Sequence, residues 1–113
     1  MSCIFCKIVA GELPANIVYK NELVTAFTDL HPRAPTHILI IPNTHIVSLD
    51  EIADEVSTNA AAACLRAARE IAQTRGLSDG YRVVTNVGAD AGQSVFHLHF
   101  HLLAGRKMNW PPG

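Results

Sequence analysis

Several functional classes leave no trace in this sequence. It has no run of Lys or Arg, and 9 basic residues stand against 10 acidic ones for a net charge of -1. A phosphate-backbone binder needs a basic patch, so the balance argues against a nucleic-acid partner. No apolar stretch approaches the roughly 20 residues that span a bilayer, and no signal-peptide core follows Met1. Cysteine is scarce, and its odd count of three cannot close into a full disulfide framework. A reducing, cytoplasmic setting with no membrane partner is the expectation. Repeats, linkers and low-complexity segments are missing too. The 113 residues are therefore expected to form one domain, 1–113, with hydrophobic residues at 49% supplying its core.

Histidine is what the chain does have. Three of its six histidines fall in His97-Leu98-His99-Phe100-His101-Leu102-Leu103. Polar and apolar residues alternate here with period two, the period of a strand. A strand puts all three imidazoles on one face, about 6–7 Å apart, and Leu98, Phe100 and Leu102 on the other. A sheet face needs no such row of histidines, so the row points to a site. Imidazole titrates near neutrality and binds divalent metals. The row can therefore ligate an ion, or serve a phosphate as nucleophile and proton donor.

The rest of the chain supplies the frame. Cys3 to Ala10 is apolar at helical spacing and stops at Gly11, which predicts a short helix with Ile4, Phe5 and Ile8 facing inward. Cys3 and Cys6 lie one turn apart and can reach the same ion, or simply pack as small hydrophobes. Ile17–Lys20 and Val24–Thr28 read as a hairpin. A proline-broken loop carries Asp29, whose two oxygens can accept a ribose diol or cap their own turn. Thr36–Pro42 is the most hydrophobic strand, opened by His37. Ser48-Leu49-Asp50-Glu51 has the form of a capping box.

A long helix is predicted from Glu55 to Arg75, closed by Gly76. It carries two apolar stripes, Val56, Ala60, Ala63, Ala67 and Ile71 beside Ala61, Leu65, Ala68 and Ala72. Two stripes imply a second packing partner, such as the same helix of another subunit. Cys64 within it reads as packing. A strand is predicted over Tyr81–Val87, followed by the glycine loop Gly88 to Ser94. Either the loop is an ordinary hairpin into the histidine strand, or its backbone amides from Gly92 to Ser94 sit beside the imidazoles and hold phosphate oxygens. The tail Trp110-Pro111-Pro112-Gly113 excludes helix and is expected to reach a neighbouring subunit.

Gln93-Ser94-Val95-Phe96-His97-Leu98-His99-Phe100-His101-Leu102-Leu103 resembles the signature of the histidine triad (HIT) superfamily. Phe5-Cys6-Lys7-Ile8, Ala34-Pro35-Thr36-His37 with Ile41-Pro42, and Gly92-Gln93-Ser94 extend the resemblance over almost the whole chain. The Trp-Pro-Pro-Gly ending is similar to the HINT branch. The resemblance implies an α+β fold: an antiparallel sheet of about five strands, one long helix and a short N-terminal helix. It implies a homodimer whose sheet continues across the interface.

The activity it implies is hydrolysis of purine nucleoside phosphoramidates, such as adenosine 5'-phosphoramidate or AMP-lysine, to nucleoside monophosphate and amine. His99 would be the nucleophile, with His101 and Ser94 near the phosphate oxygens and leaving group. His37 and His97 would orient the cluster. Asp29 and Leu30 would meet the ribose. Asn86, Gly92, Gln93 and Ser94 would contact ribose or phosphate. Ile4, Phe5, Ile8, Phe27 and Leu39 would hold the base. Bacterial members carry structural zinc on two cysteines and two histidines, and the matching positions are Cys3, Cys6, His45 and His97. His97 is thus claimed by both zinc and the catalytic cluster.

Other readings of the same residues are a catalytic-zinc hydrolase, a nucleotide-binding interaction module with little turnover, and a dinucleoside polyphosphate hydrolase. The Trp-Pro-Pro-Gly tail argues against the last.

Overall fold

The computed structural model describes residues 3–113. Five strands form one antiparallel sheet: β1 (Ile17–Lys20), β2 (Val24–Thr28), β3 (Thr36–Pro42), β4 (Tyr81–Val84) and β5 (Phe100–Ala104). Their order is β1-β2-β3-β5-β4. The most hydrophobic strand, β3, is central, as its near-continuous burial requires. In the β1–β2 turn, Asn21 Oδ1 accepts the N–H groups of Leu23 and Val24, each at 2.9 Å. Among the described residues no helix is long and apolar enough to cross a membrane.

The long helix α2 (Glu55–Thr74) covers one face of the sheet. Ala60, Ala63, Cys64, Ala67, Ala68 and Ile71 meet Val24, Ala26, Ile38, Ile40, Leu98, Phe100 and Leu102 in the main core. Small alanines let the helix approach the sheet closely. A capping box starts it: Asp54 Oδ1 accepts the Ser57 N–H at 2.8 Å, and Ser57 Oγ accepts the Asp54 N–H at 3.2 Å. The box expected at Ser48 opens only a 3-10 turn, Leu49–Glu51. There Glu51 reaches back to the Val47 N–H at 2.8 Å rather than to Ser48.

The two predicted stripes differ in fate. Ala68 and Ala72 of the second stripe are buried, but Leu65 is 51% exposed, and so is 70% of Val56 in the first. Leu65 follows buried Cys64 by one residue, about 100° around the helix, which turns it from the sheet.

The opposite face carries a smaller core of Phe5, Ile8, Phe27, Leu39 and Ile41, covered by the short helix α1 (Ile4–Val9). Phe5 and Ile8 face inward as expected, whereas Ile4 is 45% exposed.

The histidine stretch departs from a uniform strand. Side chains do alternate: Leu98, Phe100 and Leu102 join the α2 core, while His99 and His101 face the α1 side. Ladder pairing, however, begins only at Phe100, opposite Ile40. Before it, the backbone bonds elsewhere. Leu98 donates its N–H to the Ile46 carbonyl at 2.6 Å, and the His99 carbonyl accepts from Thr85 Oγ1 at 2.8 Å. For the same reason β4 stops at Val84, short of the predicted Val87.

Gly105, at the end of β5, has φ +94°, and a Cβ there would lie 2.8 Å from Cβ of Pro35. Only glycine lets β5 leave the sheet against the loop that carries Asp29. The tail is tied back to β4: the Arg82 guanidinium donates to the carbonyls of Asn109 at 2.9 Å and Pro112 at 3.1 Å.

Candidate functional site

The α1 face of the sheet holds a cavity of about 440 Å³. Its apolar wall is Ile4, Phe5 and Ile8 from α1, Phe27 from β2 and Leu39 from β3. Asp29, Leu30, Ser94, His99 and His101 also line it. The pleat explains the convergence. Phe27 pairs with Leu39, and Leu39 with His101, so the three side chains stand abreast on one face. Phe5 meets the His99 ring edge-on, with centroids 5.2 Å apart.

Hydrogen bonds decide which imidazole nitrogen carries a proton. His99 Nδ1 lies 2.7 Å from the His97 carbonyl, which can only accept. Neutral His99 therefore carries its proton on Nδ1 and keeps a lone pair on Nε2. His37 Nδ1 accepts the Arg33 N–H at 3.0 Å, so its proton sits on Nε2. That N–H donates to His101 Nδ1 at 2.9 Å, leaving the His101 proton on Nε2. The His99 and His101 rings are adjacent, with centroids 5.1 Å apart. A lone pair and an N–H donor thus stand side by side at the cavity wall, the minimum equipment for nucleophilic attack with proton transfer.

Burial lowers the proton affinity of His37, with neighbouring Arg33 adding to the effect and Asp29 opposing it. Burial also pushes His101 down to about 4, helped by His99 and His37 and opposed by Asp29. Protonating His101 at Nδ1 would set two N–H donors face to face, a second reason for the direction. The unfolded chain takes up these protons near the ordinary value of 6.5, so it binds more protons than the folded one below that pH. Stability from the pair is therefore complete above pH 6.5 and lost as pH falls toward about 4. Thermal melts at about pH 7 and about pH 4.5 check this. The loss between them should be smaller in His101→Asn than in the parent; equal losses would refute the assignment.

His97 takes no part in this pair. Its ring is fully buried and turned toward the cysteines. Nε2 lies 2.9 Å from the Pro42 carbonyl and so carries the proton. The Nδ1 lone pair then faces Cys3 Sγ at 3.3 Å, Cys6 Sγ at 3.6 Å and His45 Nδ1 at 3.3 Å. The ligand atoms of Cys3, Cys6, His45 and His97 all lie within 4.8 Å of one another, so the four can hold a metal ion. An imidazole that donates its outer N–H to a carbonyl while turning its other nitrogen inward is how protein ligands are oriented toward metals. The donor set therefore fits a structural ion. The two claims on His97 separate by atom: its side chain faces the cluster, and its carbonyl serves His99.

Asp29, His37 and His101 also converge within 4.8 Å. The Arg33 N–H decides against a metal there, because it keeps the His37 proton on Nε2, the nitrogen turned to the trio. Asp29 serves its own turn, one of the two roles anticipated for it, and leaves its second oxygen toward His37. Oδ1 accepts the His31 N–H at 2.7 Å as a turn residue, while Oδ2 lies 3.5 Å from His37 Nε2.

Three expected contacts lie off the cavity wall. Asn86 donates its side-chain amide to the Ala91 carbonyl at 2.8 Å. Gln93 is buried and braces the loop, accepting the Gly88 N–H at 2.9 Å and donating to the Val47 carbonyl at 2.8 Å. The amides of Gly92 and Gln93 bond to the carbonyls of Ala89 and Gly88, each at 3.0 Å. The loop spends these amides on a 3-10 turn, Ala89–Ala91, so of the glycine loop it is Ser94 that reaches the cavity. Arg33, Pro42 and Thr85 act through main-chain atoms or on them, and had no signal in the sequence.

Comparison with known proteins follows the same lines. The model of the HIT domain matches residues 10–108. A "14 kDa zinc-binding protein" of Zea mays is 49% identical over 112 residues, covering 97% of this chain and 87% of its own. A HIT family hydrolase from Legionella pneumophila superimposes with a TM-score of 0.94 at 47% identity, over 99% of this chain and 100% of that one. A HIT family hydrolase from Clostridium thermocellum gives 0.90 at 45% identity, over 95% and 93%.

Proposed function

Because the chain belongs to the HIT family, we propose that it is a hydrolase of purine nucleoside phosphoramidates acting through a nucleotidyl-histidine. The observation that carries this reading is the 2.7 Å contact of His99 Nδ1 with the His97 carbonyl. It leaves the Nε2 lone pair of His99 beside His101, in a cavity whose apolar wall suits a purine and whose Asp29 suits a ribose diol.

His99 Nε2 attacks the α-phosphorus, and the phosphorus–nitrogen bond breaks. The amine leaves only if its nitrogen is protonated. Bound phosphate is anionic and offsets the burial that holds His101 low, so His101 takes an extra proton as a cationic donor while the His37 N–H turns to Asp29 Oδ2, 3.5 Å away. His101 Nε2–H passes its proton to the leaving nitrogen. Water then attacks the phosphorus, its proton goes to His101, and the bond to His99 breaks. Ser94 supplies a hydroxyl for the phosphate oxygens.

Incubation with adenosine 5'-phosphoramidate followed by intact-mass measurement tests the reading. Released ammonia and a transient adduct of AMP mass are expected. AMP binding without ammonia or adduct would leave only a nucleotide-binding module.

We infer further that the four-residue cluster holds structural zinc. Thiolate and imidazole donors suit zinc, and four protein ligands leave no open position for chemistry. Free cysteines of this kind fit a cytoplasmic setting.

A homodimer is proposed as well. Trp110 is 85% exposed, and Tyr81 and Val83 on edge strand β4 are 45% and 37% exposed. A strand edge with apolar side chains is a template for pairing, here with its own copy. Light scattering should give twice the 12.2 kDa chain mass. A mass of one chain at micromolar concentration would refute it.

A further inference from the structure

Helix α1 has two attachments. On one side Cys3 and Cys6 deliver their sulfurs to His45 and His97, with Cys6 Sγ 3.4 Å from His45 Nδ1. On the other side Ile4, Phe5 and Ile8 line the cavity. The two functions interleave on consecutive residues, Cys3-Ile4-Phe5-Cys6. Phe5 bridges them in space: its ring meets His97 of the cluster at 5.9 Å and His99 of the cavity at 5.2 Å.

A helix of six residues has no stability of its own. Its position is set by what it is fastened to. The fastenings include the Phe5 and Ile8 contacts, the Lys20 ammonium on the Val9 carbonyl and the sulfur ligands, and the Cys3 sulfur is also the N-cap, accepting the Cys6 N–H at 3.3 Å. Without a metal, two thiols and two imidazoles crowd within 4.8 Å with no ion to bind them together. With a metal, the same four atoms become one rigid unit, and α1 is locked onto the end of β3 through His97 and the Pro42 carbonyl.

We propose that the Cys3–Cys6–His45–His97 centre and the nucleotide cavity are thermodynamically coupled through α1. Metal occupancy sets nucleotide affinity, and nucleotide sets metal affinity. The metal centre thereby acts as a positioning element for the base pocket, beyond any contribution to folding. A nucleotide that packs its base on Ile4, Phe5 and Ile8 must pay the ordering of α1 when the metal is missing, and not when it is present. Linkage requires the reverse effect to be of the same size. The identity of the ligand as a nucleotide rests on the function proposed above; the coupling is a separate claim and is tested on binding alone.

The experiment uses the full chain, zinc-loaded and chelator-stripped, with circular dichroism confirming that both are folded at the working temperature. AMP binding is measured by calorimetry on each. Zinc affinity is then measured against a competing chelator, with and without saturating AMP. Roughly tenfold weaker AMP binding in the stripped protein is expected, and AMP should tighten zinc by the same factor. Cys6→Ser should bind AMP as weakly as the stripped parent and show no response to zinc. Phe5→Leu should keep zinc but reduce the factor.

Equal AMP affinity with and without zinc, or zinc affinity indifferent to AMP, overturns the coupling while leaving the nucleotide site intact. Failure of the zinc-loaded protein to bind AMP at all overturns the nucleotide reading and the coupling together. A stripped chain that is unfolded at every temperature tried also overturns the proposal, because zinc then acts on the whole fold rather than on the placement of α1.

Discussion

Replacing His99 with alanine is expected to remove phosphoramidate hydrolysis, with a loss on the order of 10⁴-fold or more in kcat, because it deletes the atom that bonds to phosphorus. AMP should still bind within about tenfold, since the apolar wall and Asp29 remain. The variant also strips the His97 carbonyl of its partner, and an orphaned buried acceptor costs roughly 1–3 kcal/mol of stability. His99→Asn separates the two effects. Its side-chain amide restores a donor toward that carbonyl, and it carries no nucleophilic nitrogen. His101→Asn should lose less, roughly 10²–10⁴-fold, as fits the loss of a proton donor. In rapid-quench and mass experiments the nucleotide label should map to His99. Near-parental turnover of His99→Asn, or a label on another residue, would refute the nucleophile.

The second large effect concerns stability. Protein prepared without added metal should contain one zinc per chain, and chelation should lower the melting temperature by roughly 15 °C. The figure follows from a ligand held at a thousand times its Kd, worth about 4 kcal/mol, in a domain of this size. Cys3→Ala and Cys6→Ala should each melt with the stripped parent and no longer respond to zinc. Cys64→Ala is the control. Its thiol is buried in the α2 core and pushed up to about 12 by desolvation, so it is inert packing. That variant should lose stability through the cavity it leaves but keep its zinc. Substoichiometric metal, with melting unmoved by zinc, would return Cys3 and Cys6 to the role of packing residues.

The pairing of large and small effects follows from where each group sits. His99 and His101 are flanked by main-chain carbonyls, other imidazoles and an aromatic edge, and their protons are assigned by fixed neighbours. Cys3 and Cys6 lie at the N-cap and within a helix too short to hold itself. Chemistry is concentrated in the first group and anchoring in the second, and His97 belongs to both through different atoms.

Periodicity alone determined a good deal. Period two from His97 to Leu103 places Leu98, Phe100 and Leu102 in the core, because burial follows the pleat whichever backbone partners are present. Helical spacing and a terminal glycine bounded α2 to within one residue at its C-terminal end, at Thr74 rather than Arg75. The Cys-x-x-Cys pair, the strand-opening His37 and the turn Asp29 are visible in the chain as residue types with known chemistry.

What only the tertiary structure decided is which of these meet and through which atoms. The chain places Cys6 and His97 91 residues apart, and nothing local says that they converge. Tautomers are set by carbonyls and N–H groups of His97, Arg33 and Pro42, whose main-chain atoms look alike in every sequence. The same blindness hid that the amides of Gly92 and Gln93 close a turn of their own loop. Side-chain type and spacing are properties of the sequence, whereas a hydrogen-bond partner is a property of three-dimensional proximity. A lone pair on His99 therefore belongs to the fold.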